Sequence, residues 1–181
     1  MKTIIFNALE FATKAHTGQF RKGTLLPYIV HPVDVMRNLI LYNASTDAVA
    51  AGILHDTLED TLTTIDDLKN TFGDRITELV MGASEPDKSL SWEERKQHTF
   101  KFLAQTTDIE QLMVVCADKL SNITSIKQDM DTIGNKIWTR FNRGYNQQKW
   151  YYYGLAKIFE KHTEKSELFA KYITLTKEVF A

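Results

Sequence analysis

The chain has 181 residues, 43% of them hydrophobic and 25% charged, with 22 Lys and Arg against 23 Asp and Glu for a formal net charge of -1. That balance describes a globular protein and gives no support for a broad polyanion-binding surface, so nucleic acid is not the first partner to propose. One domain of this length buries a sizeable core without staples, and the lone Cys116 excludes an internal disulfide.

At the amino terminus Asn7 and Glu10 interrupt the apolar residues and no small-residue cleavage site follows, so no signal peptide is expected. Leu112 to Ala117 is the longest apolar run, far short of the roughly 20 residues a membrane helix needs. A free thiol without an export signal places the protein in the cytoplasm, with no membrane partner.

Apolar residues recur at helical spacing along nearly the whole chain and strand-like alternation is almost absent. Ile5, Leu9 and Ala12 mark a first helix. A second carries Val33, Val35, Met36, Leu39 and Ile40, with Pro32 at its first position and His31 at its cap. Asp47 is a candidate cap for a third, whose Ala50, Ala51 and Gly52 permit close approach of a neighbour and which ends on His55-Asp56. Thr64 caps a short helix to Phe72, Gly73 breaks it, and Ile76, Leu79 and Val80 suggest a further turn or two. Ser91 followed by Glu94 is a capping box for a helix to about Gln105, and Asp108 opens the next. Asp129 to Arg143 reads as a long connection, and Trp150 to Phe159 and Leu168 to Leu175 as two closing helices. With no repeat, low-complexity tract or Pro-, Gly- or Ser-rich linker, residues 1–181 are expected to form a single all-α domain.

Several polar segments interrupt the apolar helices at or near their ends: RKGT (21–24), PYIVHP (27–32), LHDTLEDT (54–61), DKSLSWEERK (87–96) and ADKLSNI (117–123). His55 and Asp56 lie at a helix end, where adjacent side chains can converge on one ion. Asp118 follows six apolar residues and is expected to be buried, where a carboxylate needs a metal ion or a basic partner. A two-His, two-Asp set suits Mn, Fe, Zn or Ni and leaves positions for water and substrate. The candidate ligands are His31, His55, Asp56 and Asp118; Asn122, one turn beyond Asp118, shares its helical face. Glu59 and Asp60 follow closely enough to orient or deprotonate a water.

Taken singly, each feature has a plainer explanation. A His beside a helix cap is more often a packing residue than a ligand, a His-Asp dipeptide recurs by chance, and Glu59-Asp60 and Arg21-Lys22 would ordinarily be solvated turns. The aromatic run at Trp150 is by default core plus surface on one helix.

In order, however, PYIVHP, LHDTLEDT and a helix carrying ADKLSNI resemble the HD metal-dependent phosphohydrolase superfamily, and within it the hydrolase domain of the RelA/SpoT alarmone enzymes and their single-domain forms. The resemblance covers about Phe11 to Ile126, with RKGT, DDLKNTFGDRITELV and an ERK segment agreeing. It implies an all-α HD domain holding one Mn²⁺ through His31, His55, Asp56 and Asp118, with Glu59 and Asp60 assisting the attacking water. The reaction implied is removal of the 3′-pyrophosphate of ppGpp or pppGpp to give GDP or GTP. Positions matching Arg21, Lys22 and Asn122 face the phosphates or ribose, and Tyr151 lies near the substrate. A highly anionic substrate also needs local cations, which Lys88, Arg95 and Lys96 add. Val30 and the segment SEPDKSLSWEERK depart from the commoner pattern, and no synthetase-like stretch follows, so a hydrolase-only form is expected. The competing expectations are the same metal site acting on another phosphorylated nucleotide or cofactor, and a non-catalytic nucleotide-binding module.

Overall fold

The computed structural model describes residues 3–85 and 89–181. Its regular elements are α1 (Ile4–Ala15), α2 (Val30–Leu41), α3 (Thr46–Leu54), α4 (Thr57–Asp60), α5 (Ile65–Ala83), α6 (Trp92–Gln105), α7 (Ile109–Ile133), α8 (Tyr145–Phe159) and α9 (Glu167–Val179), with 3-10 turns at Gly134–Arg140 and Glu160–His162. A single bridge, Phe20 to Pro27, is the extended pairing among the described residues. The all-α expectation holds.

Most helix starts follow from local chemistry. The Thr64 and Ser91 hydroxyls accept from the amides of Asp67 and Glu94, whose carboxylates reach back to the cap amides, giving two capping boxes. Asp108 caps α7 by accepting from the amides of Glu110 and Gln111.

Three expectations need correction. Ser45, not Asp47, caps α3 by accepting from Ala48 N, and Asp47 sits in the first turn, where a carboxylate favours the positive end of the helix dipole. The second helix begins at Val30, so His31 and Pro32 lie inside its first turn; no amide there has an intrahelical partner, and proline is tolerated at any of these positions. As expected, Gly73 breaks the segment after Thr64: at φ 83° and ψ 174° its backbone is non-helical, a conformation that favours glycine, and helix resumes beyond it to Ala83. Finally, α7 runs through Asp129 to Ile133 before the 3-10 turn, because Ile126, Met130 and Ile133 extend its apolar stripe over the core.

The core is one cluster with α7 along its middle, packed against α2, α3, α5 and α9. The whole Leu112–Ala117 run is buried, which brings Asp118 to the edge of the core. Helices α2 and α3 approach closely at Gly52, where an added Cβ would come within 2.3 Å of Leu39 Cδ1 and 3.2 Å of Val35 Cγ1. Gly52→Ala is expected to destabilise the protein by roughly 1–3 kcal/mol through overpacking, measured by urea denaturation. Because α2 carries His31 and α3 delivers His55, metal affinity should fall with it.

Candidate metal centre and anion cavity

Three helical segments bring the candidate ligands together: the first turn of α2 supplies His31, the α3–α4 junction supplies His55 and Asp56, and the middle of α7 supplies Asp118. Ligand atoms of His31, His55 and Asp118 lie within 4.8 Å of one another. The two imidazole Nε2 atoms are 3.3 Å apart. His31 Nε2 lies 3.1 Å from Asp118 Oδ1 and 3.6 Å from Asp56 Oδ2, and His55 Nε2 lies 3.0 Å from Asp56 Oδ2 and 3.6 Å from Asp118 Oδ1. Neighbouring donors on an ion bound at about 2.0–2.2 Å sit roughly 3 Å or a little more apart, so this donor set fits a divalent transition metal.

A second layer of contacts fixes each candidate ligand. His55 Nδ1 donates to Gly52 O at 2.8 Å, which turns Nε2 toward the centre. His31 Nδ1 lies 3.1 Å from Ser121 Oγ. The Tyr28 hydroxyl donates to Asp56 Oδ2 at 2.5 Å. Asp118 Oδ1 accepts from Asn122 Nδ2 at 2.6 Å, and its Oδ2 meets Lys119 Nζ at 2.6 Å.

The electrostatics agree. At His55 burial opposes a positive charge, yet the Asp56 and Asp118 carboxylates outweigh it and hold the imidazole well above the usual histidine range. Burial also opposes ionisation of Asp118, but Lys119 and the two imidazoles keep it well below the usual carboxylate range. His31 is lowered by burial, which Asp118 only partly offsets. The two aspartates thus create a buried point that favours positive charge.

Two cavities open beside this centre. One of about 390 Å³ is lined by Asp56, Glu59, Glu85, Lys96, Asp118 and Lys119, among others. A second of about 410 Å³ is lined by Arg21, Lys22, Asn122, Arg140 and Tyr152, and Lys96, Lys119 and Tyr151 face both. Of the predicted substrate contacts, Arg21, Lys22, Asn122 and Tyr151 therefore gather in one cavity, and Lys88 lies outside the described residues. Arg21 Nη2 donates to Asn122 Oδ1 at 3.0 Å, linking this cavity to Asp118 through the Asn122 amide. Along α7, Asp118 faces the first cavity and Asn122, Ser125 and Asp129 the second.

The predicted acids divide. Glu59 lines the first cavity and accepts from Glu85 N at 2.7 Å; burial, with Asp56 adding, raises its carboxyl above the usual range. Asp60 does not line that cavity; it lies in an outer groove that Glu59 also borders, with Gln19 and Lys14, and its carbonyl accepts from Gln19 Nε2 at 2.6 Å. Arg95 and Lys96 both pair with the Glu85 carboxylate, while the Lys96 ammonium also lies 4.7 Å from the centre of the Tyr151 ring.

Tyr28, Lys119, Ser121 and Glu85 are site residues the sequence reading did not single out. Tyr28 lies inside the quoted PYIVHP segment, Lys119 and Ser121 inside ADKLSNI, and Glu85 inside SEPDKSLSWEERK, so their place in those segments was the available signal.

The HD domain family matches residues 8–143, and the chain belongs to that family. It is 35% identical over 130 residues to a protein of Danio rerio named guanosine-3′,5′-bis(diphosphate) 3′-pyrophosphohydrolase MESH1, covering 69% of this chain and 70% of that one. A crystal structure of lmo0812 from Listeria monocytogenes EGD-e superposes with a TM-score of 0.78 at 39% identity, covering 83% of this chain and 98% of the other. A metazoan ortholog of SpoT, described as hydrolysing ppGpp, shares the fold with a TM-score of 0.76 at 23% identity over 99% of this chain and 95% of its own. Bacterial relatives, among them a Borreliella burgdorferi protein that bears the same pyrophosphohydrolase name, are far longer, and the chain spans 17% to 19% of the length of the first three. No described helix is long and apolar enough to cross a membrane.

Proposed function

We propose that the protein is a Mn²⁺-dependent pyrophosphohydrolase that removes the 3′-pyrophosphate of guanosine tetraphosphate-type alarmones. The observation that carries this reading is the pairing of a buried His31, His55 and Asp118 group, with the half-buried Asp56 beside it, and an adjoining cavity rich in cations, in a chain 35% identical to a relative named for that reaction. His31, His55, Asp56 and Asp118 would hold the ion, which when bound polarises a phosphoryl oxygen and lowers the pKa of water. Glu59 accepts the proton of the attacking water. As the bond from phosphorus to the ribose 3′ oxygen breaks, that oxygen takes a proton, and the products are GDP and pyrophosphate.

Lys96 and Lys119, at the junction of the cavities, balance charge on the departing pyrophosphate, while Arg21 and Lys22 hold the remaining phosphates. Purified protein with Mn²⁺ is expected to convert ppGpp to GDP and pyrophosphate, with a higher kcat/KM than for other phosphorylated nucleotides. No turnover with any divalent metal would exclude the reading. Arg21→Ala is expected to raise KM for ppGpp roughly 10- to 100-fold, the value of a charge-assisted phosphate contact, with Mn²⁺ affinity unchanged by calorimetry.

A further inference from the structure

We infer that His16 is a positioning residue that serves the metal centre through its ring and the Glu59–Asp60 turn through its Nδ1. His16 caps the carboxy end of α1 and is buried. Its ring lies against that of Tyr28, with centroids 4.8 Å apart, and the Tyr28 ring in turn lies edge-to-face with His31, centroids 6.0 Å apart. Tyr28 in turn donates its hydroxyl to Asp56. Through this one contact His16 supports the groups around two candidate ligands.

The other arm is polar, and its hydrogen positions follow from the partners. The Asp60 carbonyl can only accept, so the Gln19 amide must present Nε2 to it, which turns Gln19 Oε1 toward His16 at 2.8 Å. Nδ1 of His16 therefore carries a proton and donates. Its Nε2 is buried and has no hydrogen-bond partner among the described residues, so a hydrogen bond anchors the ring at Nδ1 alone. The loop closes on itself as well: Gln19 N donates to His16 O at 3.0 Å and Tyr28 N to Gln19 O at 2.9 Å. His16, Gln19 and Tyr28 thus move as a unit, and that unit ends on Asp56 on one side and Asp60 on the other.

Two substitutions separate the arms. His16→Phe keeps a ring against Tyr28 but cannot donate to Gln19, whereas His16→Asn keeps an N–H near the Nδ1 position and removes the ring. The expected results cross over. His16→Phe loses roughly 10-fold or more in kcat for ppGpp, with KM and calorimetric Mn²⁺ affinity near wild type. His16→Asn binds Mn²⁺ roughly 10-fold more weakly, with kcat near wild type at saturating Mn²⁺, in the range seen when outer contacts of a metal ligand are removed. Gln19→Leu, at a partly exposed position, is expected to reproduce the His16→Phe effect and not to multiply with it in the double variant. If both readouts fall together with Tm in both variants, or neither moves, His16 is a packing residue and the inference fails. The turnover arm rests on the alarmone reading. Should wild-type protein not hydrolyse ppGpp, that reading falls, and the Mn²⁺ affinities still decide: loss in His16→Asn but not in His16→Phe supports the ring's role, and equal affinities overturn it.

Discussion

Asp118→Asn is expected to abolish Mn²⁺ binding and ppGpp turnover while leaving the helices folded. Asp118 Oδ1 faces both imidazoles, at 3.1 Å from His31 and 3.6 Å from His55, so its charge is central to the cation site. Asparagine keeps the volume and an oxygen for the Asn122 amide but removes the negative charge that outweighs burial at His55. It also leaves the Lys119 ammonium without its 2.6 Å carboxylate partner. Breaking a buried pair on one side costs roughly 3–5 kcal/mol, and the Lys119 side chain retains some access to solvent, so a smaller loss is expected here. The checks are calorimetry with Mn²⁺, thermal unfolding, and product analysis. Retained Mn²⁺ affinity in the variant would remove Asp118 from the ligand set.

Glu59→Gln is expected to separate chemistry from binding. Glutamine can still accept from Glu85 N, so the turn that follows the HD pair should keep its geometry. What it cannot do is take a proton from water, and the expected loss in kcat is roughly 10²- to 10⁴-fold with Mn²⁺ affinity and KM little changed. Asp60→Asn should lose much less, since that residue, unlike Glu59, does not line the first cavity. The reverse order of effects, measured by steady-state kinetics, would transfer the proton-accepting role to Asp60.

The division between Glu59 and Asp60 shows where the sequence stops being informative. Adjacent residues on a helical turn point about 100° apart, so the two acids of α4 face different directions, and of the pair Glu59 is the one that lines the first cavity. Which one does is decided by the packing of that four-residue turn, and no periodicity reveals it. The same holds for Arg95 and Lys96, whose partner Glu85 lies 10 and 11 residues away. By contrast, the capping boxes at Thr64 and Ser91 and the buried run before Asp118 depend on neighbours a few residues apart, and they were legible. The carboxy end of α7 was hidden because Asp129, Asp131 and Thr132 make it look like a polar linker, while the apolar residues that hold it in the helix are spaced among them.

Helix α7 carries a further consequence. Asp118, Asn122, Ser125 and Asp129 recur at intervals of three or four residues, the first facing one cavity and the other three the next. At 1.5 Å per residue their span is about 16 Å. A rigid helix, anchored along its length in the core, therefore fixes the separation between the cation-favouring point at Asp118 and the Asp129–Arg140 pair in the second cavity.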